Sequence, residues 1–373
     1  MVSGIIREII LRINFMKKYL RVRDYMKSGI TDSDAIEMCM KDASKIETAK
    51  TVLFDGGDFY IDKAILISNN TDIIVDNCAI IQKDEVFDNV FRGENVVIDK
   101  NNPYGKPLDV KPQKNISVIG KNGAKIVGTS KPAIGFHPFF NKEQMMNGDF
   151  WGWRTHMFSF SFGANIEISG FELRKTMGWA ISFDYCHDIY VHDLEIYSDV
   201  KNGDGIDFRS GCHDCIVENI SGYTSDDTVA CTALSSDKTS NVLSKYLYPS
   251  EPFGCLKLDY NRDIYNIKIK NILTGGLHHG VICLAARGNK VYNISIKDIY
   301  ETSEGGREAT VKIYTGYGDG YNVGDIHDIK VENVTSQKAK YAVMVAADIE
   351  NASFENIVQK NPDGELTFGI NSL

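Results

Sequence analysis

The sequence lacks the features of membrane-spanning and nucleic-acid-binding proteins. Among its 373 residues there is no run of about 18 apolar residues, so we expect no transmembrane helix and no membrane partner. No cluster of lysine and arginine stands out beyond MKKYLRVR near the start, and the formal net charge is −9. Because phosphate binding needs a clustered basic surface, we also expect no nucleic-acid partner.

Cysteine pairs at metal-binding spacing are also missing. The chain has eight cysteines, and although Cys212 and Cys215 are close together, no second pair stands at the spacing of a zinc ribbon. Several cysteines occupy positions where a strand needs an apolar residue. The pattern therefore predicts buried free thiols and a reducing compartment.

The start of the chain lacks the pattern of a secretory signal. The segment IIREIILRINF is interrupted by Arg7, Glu8 and Arg12, and it has neither a continuous apolar core nor a small-residue cleavage site. We expect a cytoplasmic protein in which residues 1–30 form a leader or extension and residues 31–373 form one domain.

A short pattern recurs along the chain: Asn or Asp, apolar, any, apolar, any, Asn/Asp/Gly, apolar. The alternation within each copy is the period of a β-strand, and the polar residue near its end marks a bend. The shortest intervals between successive copies are 23–27 residues, and two are 50 and 52. The nine copies are DIIVDNC from Asp72, NISVIGK from Asn115, NIEISGF from Asn165, DIYVHDL from Asp188, DCIVENI from Asp214, NIKIKNI from Asn266, NISIKDI from Asn293, DIKVENV from Asp328 and NASFENI from Asn351.

Short strands repeating with a period in the twenties are typical of a solenoid. Leucine-rich repeats need a leucine-rich consensus that this chain does not have, and helical repeats need longer periods with 3.6-residue spacing. The pattern therefore predicts an all-β solenoid, a parallel β-helix, in which each coil lies about 4.8 Å above the one before. The two long intervals correspond either to two coils or to one coil with a long loop.

The ends and two internal segments depart from the repeat. Residues 31–48 are predicted to form a helix that covers the first coil, with Asp32 or Ser33 as its N-cap. Segments 131–156 and 232–262 are predicted to be loop insertions beside the coil. The apolar face of the helix is expected to contain Ile36, Met40 and Ala43.

Several polar residues share one phase of the repeat. Trp179, Asp204, the pair Asp226–Asp227 and His279 lie 11 to 15 residues after the first apolar residue of their repeats. An isolated Asp-Asp pair is typical of a solvated turn. In a solenoid, however, equal phase means one face, so these residues are expected to stack in a cleft.

Three clustered carboxyl groups suit glycoside hydrolysis. One protonated carboxyl donates to the leaving oxygen, while an ionised one activates water or attacks the sugar. Mutual repulsion raises at least one pKa in such a cluster, and a nearby histidine can tune it. Trp179 offers an apolar platform for a sugar ring. Asp207 is interpreted as a structural hydrogen bonder within the bend.

These residues resemble the polygalacturonase family, glycoside hydrolase family 28. The similarity covers roughly residues 30–357, and its most specific part is 154–234. The family's motifs are Asn-Thr-Asp, Gly-Asp-Asp, Gly-His-Gly and Arg-Ile-Lys. Their counterparts here are N-G-D-G-I-D at 202–207, S-D-D at 225–227, H-H-G at 278–280 and K-I-Y at 312–314.

The resemblance implies a fold and a set of roles. The fold is a single-stranded right-handed parallel β-helix of the pectin-lyase-like superfamily. Asp226 would be the general acid, Asp204 and Asp227 would position and deprotonate water, and His279 would support the protonation of the acid. The family inverts the anomeric configuration and uses no metal or cofactor. Inversion implies carboxyl separations of about 6.5–9.5 Å.

The chain departs from the family pattern at several positions. Gly203 and Ser225 replace the usual Thr and Gly. In the binding segment, Lys312 and Tyr314 stand where the family has the basic pair that grips a uronate carboxylate, and Arg154 and Arg174 are candidates for the missing charge. We therefore expect Lys312, Tyr314 and Arg154, with Trp179, to bind substrate. This departure weakens the case for galacturonan and leaves a neutral sugar, a differently charged sugar or a pectin side-chain fragment as alternatives.

The substrate is thus expected to be an oligosaccharide or polysaccharide, attacked in the exo mode if the two insertions wall off the cleft. Two other interpretations stay open at this level. One is a polysaccharide lyase or epimerase on the same fold, with the aspartates binding Ca²⁺. The other is a non-catalytic carbohydrate-binding β-helix.

Overall fold

The computed structural model of the chain describes residues 18–101, 106–129, 152–234, 252–256, 259–286, 288–316 and 321–367. Most of the predicted loop insertions, residues 131–151 and 235–251, lies outside these described residues. The remainder of each insertion, residues 152–156 and parts of 232–262, is described.

The recurring pattern forms the strands of one parallel sheet. All nine copies lie in strands that pair in parallel with the strand of the next copy. Equivalent positions pair across the coils, as in Ile189 with Cys215 and Cys215 with Ile267. The intervals of 50 and 52 residues are therefore single coils with long insertions.

This large sheet has 15 strands among the described residues. Its first strand already pairs in parallel with the second, so the chain joins the sheet before residue 31. In sheet order the main path is β1 Lys18–Arg21, β2 Lys50–Phe54, β5 Thr71–Asp76, β10 Gln113–Lys121, β13 Gly163–Ser169, β16 His187–Ser198, β18 His213–Thr224, β20 Ile264–Gly276, β22 Val291–Gly305, β24 Ile326–Ser336 and β26 Ile349–Gln359. Alongside lie β3 Phe59–Ile61, β6 Ala79–Gln82, β11 Lys125–Val127 and β14 Glu172–Arg174.

A second parallel sheet closes each coil on the other side. Its strands alternate along the chain with those of the large sheet, which produces a right-handed parallel β-helix. In sheet order it contains β4 Ile65–Ile67, β7 Phe91–Gly93, β12 Phe158–Ser161, β15 Ile181–Asp184, β17 Ile206–Phe208, β19 Val229–Ala233, β21 His279–Ala285, β23 Ala309–Thr315, β25 Tyr341–Ala346 and β27 Glu365–Thr367. A small antiparallel hairpin outside the coil pairs β8 Val96–Ile98 with β9 Pro107–Val110.

Ladders of Asn and Asp side chains stabilise the bends. Asn266 adopts φ 57°, a left-handed conformation that Asn tolerates better than most residues. Its side-chain amide donates to Asp214 at 2.8 Å, and the amide of Asn293 donates to Asn266 at 2.6 Å. This ladder lies at the first position of each copy, with one hydrogen bond per coil between equivalent residues. A second ladder joins Asp193, Asn219 and Asn271 in the same way, and these residues, with φ of 53°, 59° and 54°, confirm the bend predicted near the end of each copy.

The helix before the coil, α1, spans Asp32–Ser44 and is shorter than the predicted 31–48. Its N-cap is Thr31, whose side-chain oxygen accepts a hydrogen bond from the backbone amide of Asp34 at 3.2 Å. The prediction of Asp32 or Ser33 as the cap was therefore wrong. The cap must precede the first helical turn with extended backbone, and Thr31 has that conformation.

Asp32 and Ser33 instead attach α1 to the coil. Asp32 accepts a hydrogen bond from the amide of Tyr60 at 2.7 Å, and Ser33 accepts one from the amide of Asp62 at 2.9 Å. The predicted apolar face is buried in the same core as the first strands, so α1 covers the first coil. This face contains Ile36, Cys39, Met40 and Ala43.

The core is built of columns of equivalent residues. Phe160, Phe183 and Phe208 stack along successive coils, with ring centroids 6.2 and 5.5 Å apart. Cys231 and Cys283 continue this column as fully buried free thiols, because the strand register places them there. Buried free cysteines were predicted, and the column explains their positions. In the described part of the chain, no helix is long and apolar enough to cross a membrane.

The Asn ladder leads to a stability prediction. Asn266→Gly removes the ladder bonds but tolerates the positive φ, and should lower the free energy of unfolding by about 1 kcal/mol. Asn266→Ala removes the same bonds and adds left-handed strain, so it should cost about 1 kcal/mol more. Urea unfolding of both variants measures the difference. A loss for the glycine variant as large as that for alanine would contradict the role of backbone strain.

Candidate active site

A column of polar residues lies where the chain enters the second sheet. Three backbone hydrogen bonds set it: the amides of residues 180, 205 and 228 donate to the carbonyls of Asp204, Asp227 and His279 at 2.9, 2.8 and 3.0 Å. Residue 179 precedes the first of these amides, so Trp179, Asp204, Asp227 and His279 stand on four successive coils. The interval of 52 residues between Asp227 and His279 is thus one coil with an insertion.

Asp226 completes a cluster of three carboxyl groups. One oxygen each of Asp204, Asp226 and Asp227 lies within 4.8 Å of the others. Three oxygens at the corners of such a triangle can all reach one water at its centre, at about 2.8 Å. A water has only two hydrogens to donate, so the third carboxyl must itself donate, which requires one protonated member.

The tight turns that support the cluster depend on a pair of small residues. A β-carbon on Gly203 would lie 2.4 Å from the hydroxyl oxygen of Ser225. That hydroxyl donates to the carbonyl of Val200, and the amide of Asp226 donates to the carbonyl of Gly203 at 3.4 Å. The same β-carbon would lie 2.6 Å from the hydroxyl oxygen of Ser198 and 2.6 Å from the carbonyl oxygen of Val200, so the turn at residue 203 requires a glycine.

Burial and repulsion favour a proton on Asp226. Its side chain is 20% exposed, and burial together with the nearby Asp227 charge raises the pKa of Asp226 to about 6. A carboxyl with this pKa is suited to donate a proton in mildly acidic solution.

Asp204 and Asp207 form a buried pair behind this acid. Burial raises the pKa of Asp204 and that of Asp207 well above the usual value, and the Asp207 charge adds to the shift of Asp204. Against the larger effect of burial, the charge of Arg209 and a hydrogen bond with Asp204 lower the pKa of Asp207. The interpretation of Asp207 as a structural hydrogen bonder agrees with this contact to Asp204.

Asp227 has a different environment, because it contacts a histidine. The Nδ1 of His279 lies 2.6 Å from Asp227, and its Nε2 lies 2.8 Å from Oε2 of Glu308. Ionised carboxylates only accept, so both ring nitrogens donate and His279 is an imidazolium. Although burial opposes the charge, Asp227 and Glu308 raise the pKa of His279.

His279 was expected to support the proton of Asp226, but its hydrogen bond goes to Asp227. The residue near Asp226 is His278, whose Nδ1 lies 3.2 Å from Oδ1 and whose side chain is 57% exposed. An imidazolium at either position lowers the pKa of Asp226. The structure thus associates His279 with the carboxylate rather than with the acid.

Lys312 and Tyr314 lie on the coil after His279. The ammonium of Lys312 lies 2.6 Å from Oε2 of Glu308 and 4.9 Å from the centre of the Tyr314 ring. Hydrogen bonds from His279 and Lys312 lower the pKa of Glu308 to about 2, against an opposing effect of burial. A chain of contacts therefore runs from Asp227 through His279 and Glu308 to Lys312.

Arg154 and Trp179 are held by other residues. Arg154 forms two contacts with Asp88, at 3.1 and 3.0 Å. Trp179 stacks on His156 at 4.9 Å, and the guanidinium carbon of Arg209 lies 4.8 Å from the Trp179 ring centre. Trp179 is half-buried beside Asp204. Arg154 is instead paired with Asp88, which lies in the connection just before β7.

Two residues that the sequence analysis missed support the site. Glu308 lies in EGGREAT, which lengthens its repeat and hides its phase. Arg307 is fully buried and donates to the carbonyl of His279 and, at 2.9 Å, to the hydroxyl of Thr228. Burial lowers the pKa of Arg307 to about 10. Arg307 thus connects the backbone carbonyl of His279 with the side chain of Thr228, the residue after Asp227.

Comparison with known families identifies one match. The sequence profile of Glycosyl hydrolases family 28 matches residues 114–362, which is more than half of the chain. This range contains the carboxyl cluster, His279 and Lys312. No curated protein matches the chain significantly.

Solved structures with the same fold include two exopolygalacturonases. The hyperthermoactive exopolygalacturonase from Thermotoga maritima is 15% identical, with 92% of this chain and 88% of that chain covered and a TM-score of 0.56. The family 28 exopolygalacturonase from Yersinia enterocolitica is 12% identical, with 94% and 76% covered and a TM-score of 0.54. A tailspike protein mutant of E. coli bacteriophage HK620, in complex with hexasaccharide, is 11% identical, with 94% and 57% covered and a TM-score of 0.59. At these identities the likeness concerns the fold.

The fit between Gly203 and Ser225 is testable by a double-mutant cycle. Gly203→Ala should cost about 1–3 kcal/mol of unfolding free energy through overpacking, and Ser225→Gly should relieve only part of this cost, because the Ser198 hydroxyl and the Val200 carbonyl stay within 2.6 Å of the added carbon. Gly306→Ala is the matched control, because nothing lies within 4 Å of the added carbon. Urea unfolding measures all variants. Equal costs of Gly203→Ala in both backgrounds would show that the two turns do not compensate each other.

Proposed function

The chain belongs to glycoside hydrolase family 28, and we propose that it cleaves pectin-related or other plant or microbial oligosaccharides by an inverting, metal-independent acid–base mechanism. The observation that carries this proposal is the unequal environment of two adjacent carboxyl groups. Asp226 has a raised pKa of about 6, whereas Asp227 accepts a hydrogen bond from an imidazolium at 2.6 Å. Adjacent groups with opposite protonation can serve as acid and base.

In this mechanism Asp226 is the general acid. Its proton passes to the glycosidic oxygen while the bond from that oxygen to the anomeric carbon breaks. Water attacks the anomeric carbon from the opposite face, and Asp227 accepts the proton that the water loses. Asp226 ends the step ionised and Asp227 protonated, so proton exchange with solvent restores both.

The other groups prepare this step. Asp204, buried and favouring its neutral form, can donate to the water and hold it between the other two carboxyl groups. The imidazolium of His279 balances the charge of Asp227 before the proton arrives. Arg307 fixes the carbonyl of His279 from inside the coil, which keeps the ring in place.

Exo-action is part of the proposal, and a side cluster outside the coil supports it. The described end of the second insertion forms one turn, α2 Pro252–Cys255, and the amide of Phe253 donates to Asp184 at 2.8 Å. The turn therefore lies on the outer face of the second sheet, next to β15, which is the strand that follows Trp179. The turn and the side cluster add bulk outside β15, and restricted access there would favour attack at a chain end. The side cluster consists of Val96, Val110, Trp153, Tyr185 and Phe253.

A lyase with bound Ca²⁺ is the competing chemistry, since three carboxylates are also a metal-ligand set. It would give unsaturated products that absorb in the ultraviolet and would lose activity in EDTA. The hydrolase gives neither result. A purely binding β-helix would release no reducing ends from any member of an oligosaccharide panel.

The acid assignment predicts a pH profile. Because Asp226 must carry its proton, kcat/KM should fall as pH rises through about 6. Asp226→Asn, which keeps the shape but cannot act as a general acid, should lose activity by about 10²–10⁴-fold. Reducing-end release from a panel of neutral and uronic oligosaccharides measures both. An Asp226→Asn variant as active as wild type would exclude Asp226 as the acid.

The stereochemistry and the product pattern are a second test. The nearest carboxyl oxygens lie within 4.8 Å, closer than the separation of about 6.5–9.5 Å expected for inversion. We nevertheless expect an inverted anomer, because the three-oxygen cluster can place a water for attack. Proton NMR of the first product, with chain-length analysis, decides the outcome. A retained anomer would make one carboxylate a nucleophile, and an early ladder of long products would exclude exo-action.

A further inference from the structure

Glu308 limits which ligands the ammonium of Lys312 can bind. Its Oε2 lies 2.6 Å from the ammonium of Lys312 and 2.8 Å from Nε2 of His279. The Lys312 side chain is only 13% exposed, so its ammonium has little room for a second anion. The carboxylate of Glu308 thus occupies the position from which an incoming carboxylate would pair with Lys312.

A negatively charged sugar at this position would meet repulsion. A uronate carboxylate within reach of Lys312 would lie about 4 Å from Glu308, where two like charges near a protein surface repel by roughly 1–4 kcal/mol. The hydrogen bonds from His279 and Lys312 hold Glu308 in its charged form. The ammonium of Lys312 is therefore already paired with the Glu308 carboxylate within the protein.

The other cations described around the column are also engaged. Arg209, which is buried and lies 4.8 Å from the Trp179 ring centre, donates to the hydroxyl of Thr232 at 2.5 Å. Arg154 is bound to Asp88 through two contacts. Arg307 is fully buried behind the cluster and donates to Thr228 and Thr274 at 2.9 and 3.0 Å. The imidazolium of His279 uses both nitrogens on Asp227 and Glu308. Each of these charges has its partner inside the chain.

We propose that Glu308 is a specificity-determining residue that makes the cleft select a neutral sugar unit at Lys312 and reject a uronate. This inference rests on the proposed function and names the substrate class of the same site. Both contacts of Glu308 use Oε2, and the side chain is 45% exposed. Oε1 can therefore accept a hydrogen bond from a hydroxyl group of a neutral sugar. Lys312, which lies beside Tyr314, holds the Glu308 carboxylate in position.

The experiment compares two probes that differ in charge alone. One is a uronic oligosaccharide, and the other is the same oligosaccharide with its carboxyl groups reduced to primary alcohols. Calorimetric Kd values are measured in the Asp226→Asn background, where turnover is expected to be about 10²–10⁴-fold slower. Failure of the proposed function would appear as absent hydrolysis by wild type, whereas this inference is decided by the ratio of the two Kd values.

We expect the neutral probe to bind about tenfold tighter than the uronic probe, and Glu308→Gln to shift the ratio about tenfold toward the uronic one. A ratio cancels any common effect that the substitution has through His279. Glu332→Gln is the matched control, because Glu332 forms a similar contact with Lys330 at 3.1 Å on the large sheet. This control should leave the ratio unchanged.

A second variant keeps the test independent of the first. Adding Lys312→Met to Glu308→Gln should abolish the gained affinity for the uronic probe, since the released cation is then gone. Tighter binding of the uronic probe by the parent, an unchanged ratio in Glu308→Gln, or binding of neither probe would overturn the proposal. The melting temperature of each variant confirms that its fold is retained.

Discussion

Parallel pairing of equivalent residues from coil to coil is the constraint on which the rest of the structure depends. It places Asn266 above Asp214, Cys283 above Cys231 and Asp227 above Asp204 by the same rule. One repeated register therefore produces the ladders at the bends, the columns in the core and the carboxyl cluster. Residues that are far apart in sequence become neighbours about 5 Å apart without any local motif that joins them.

The same register creates an electrostatic difference between neighbouring carboxyl groups. Asp226 and Asp227 are adjacent in sequence, but only Asp227 belongs to the column and meets the imidazolium of His279. Asp226 lies one position before the column, where burial and the charge of Asp227 raise its pKa to about 6. A difference of one residue in phase thus separates a candidate acid from a candidate base.

The departures from the family pattern have different surroundings in the structure. Gly203 lies in a turn where a β-carbon would meet the hydroxyl oxygens of Ser225 and Ser198. Lys312, in contrast, is paired with Glu308, which also contacts His279. The first departure concerns the backbone beside the cluster, and the second concerns the cation near it. Family membership therefore describes the reaction better than it describes the sugar.

The sequence by itself determined the β-helix, the left-handed bends and the shared phase of the carboxyl cluster, because strand period and bend chemistry are local properties that recur in every coil. Tertiary structure decided the rest: Thr31 rather than Asp32 caps α1, Arg154 pairs with Asp88, and His279 binds Asp227 and Glu308. It also showed that the long intervals are single coils. Such choices depend on distances between side chains of different coils, often across insertions of irregular length, and no periodicity within the chain encodes those distances.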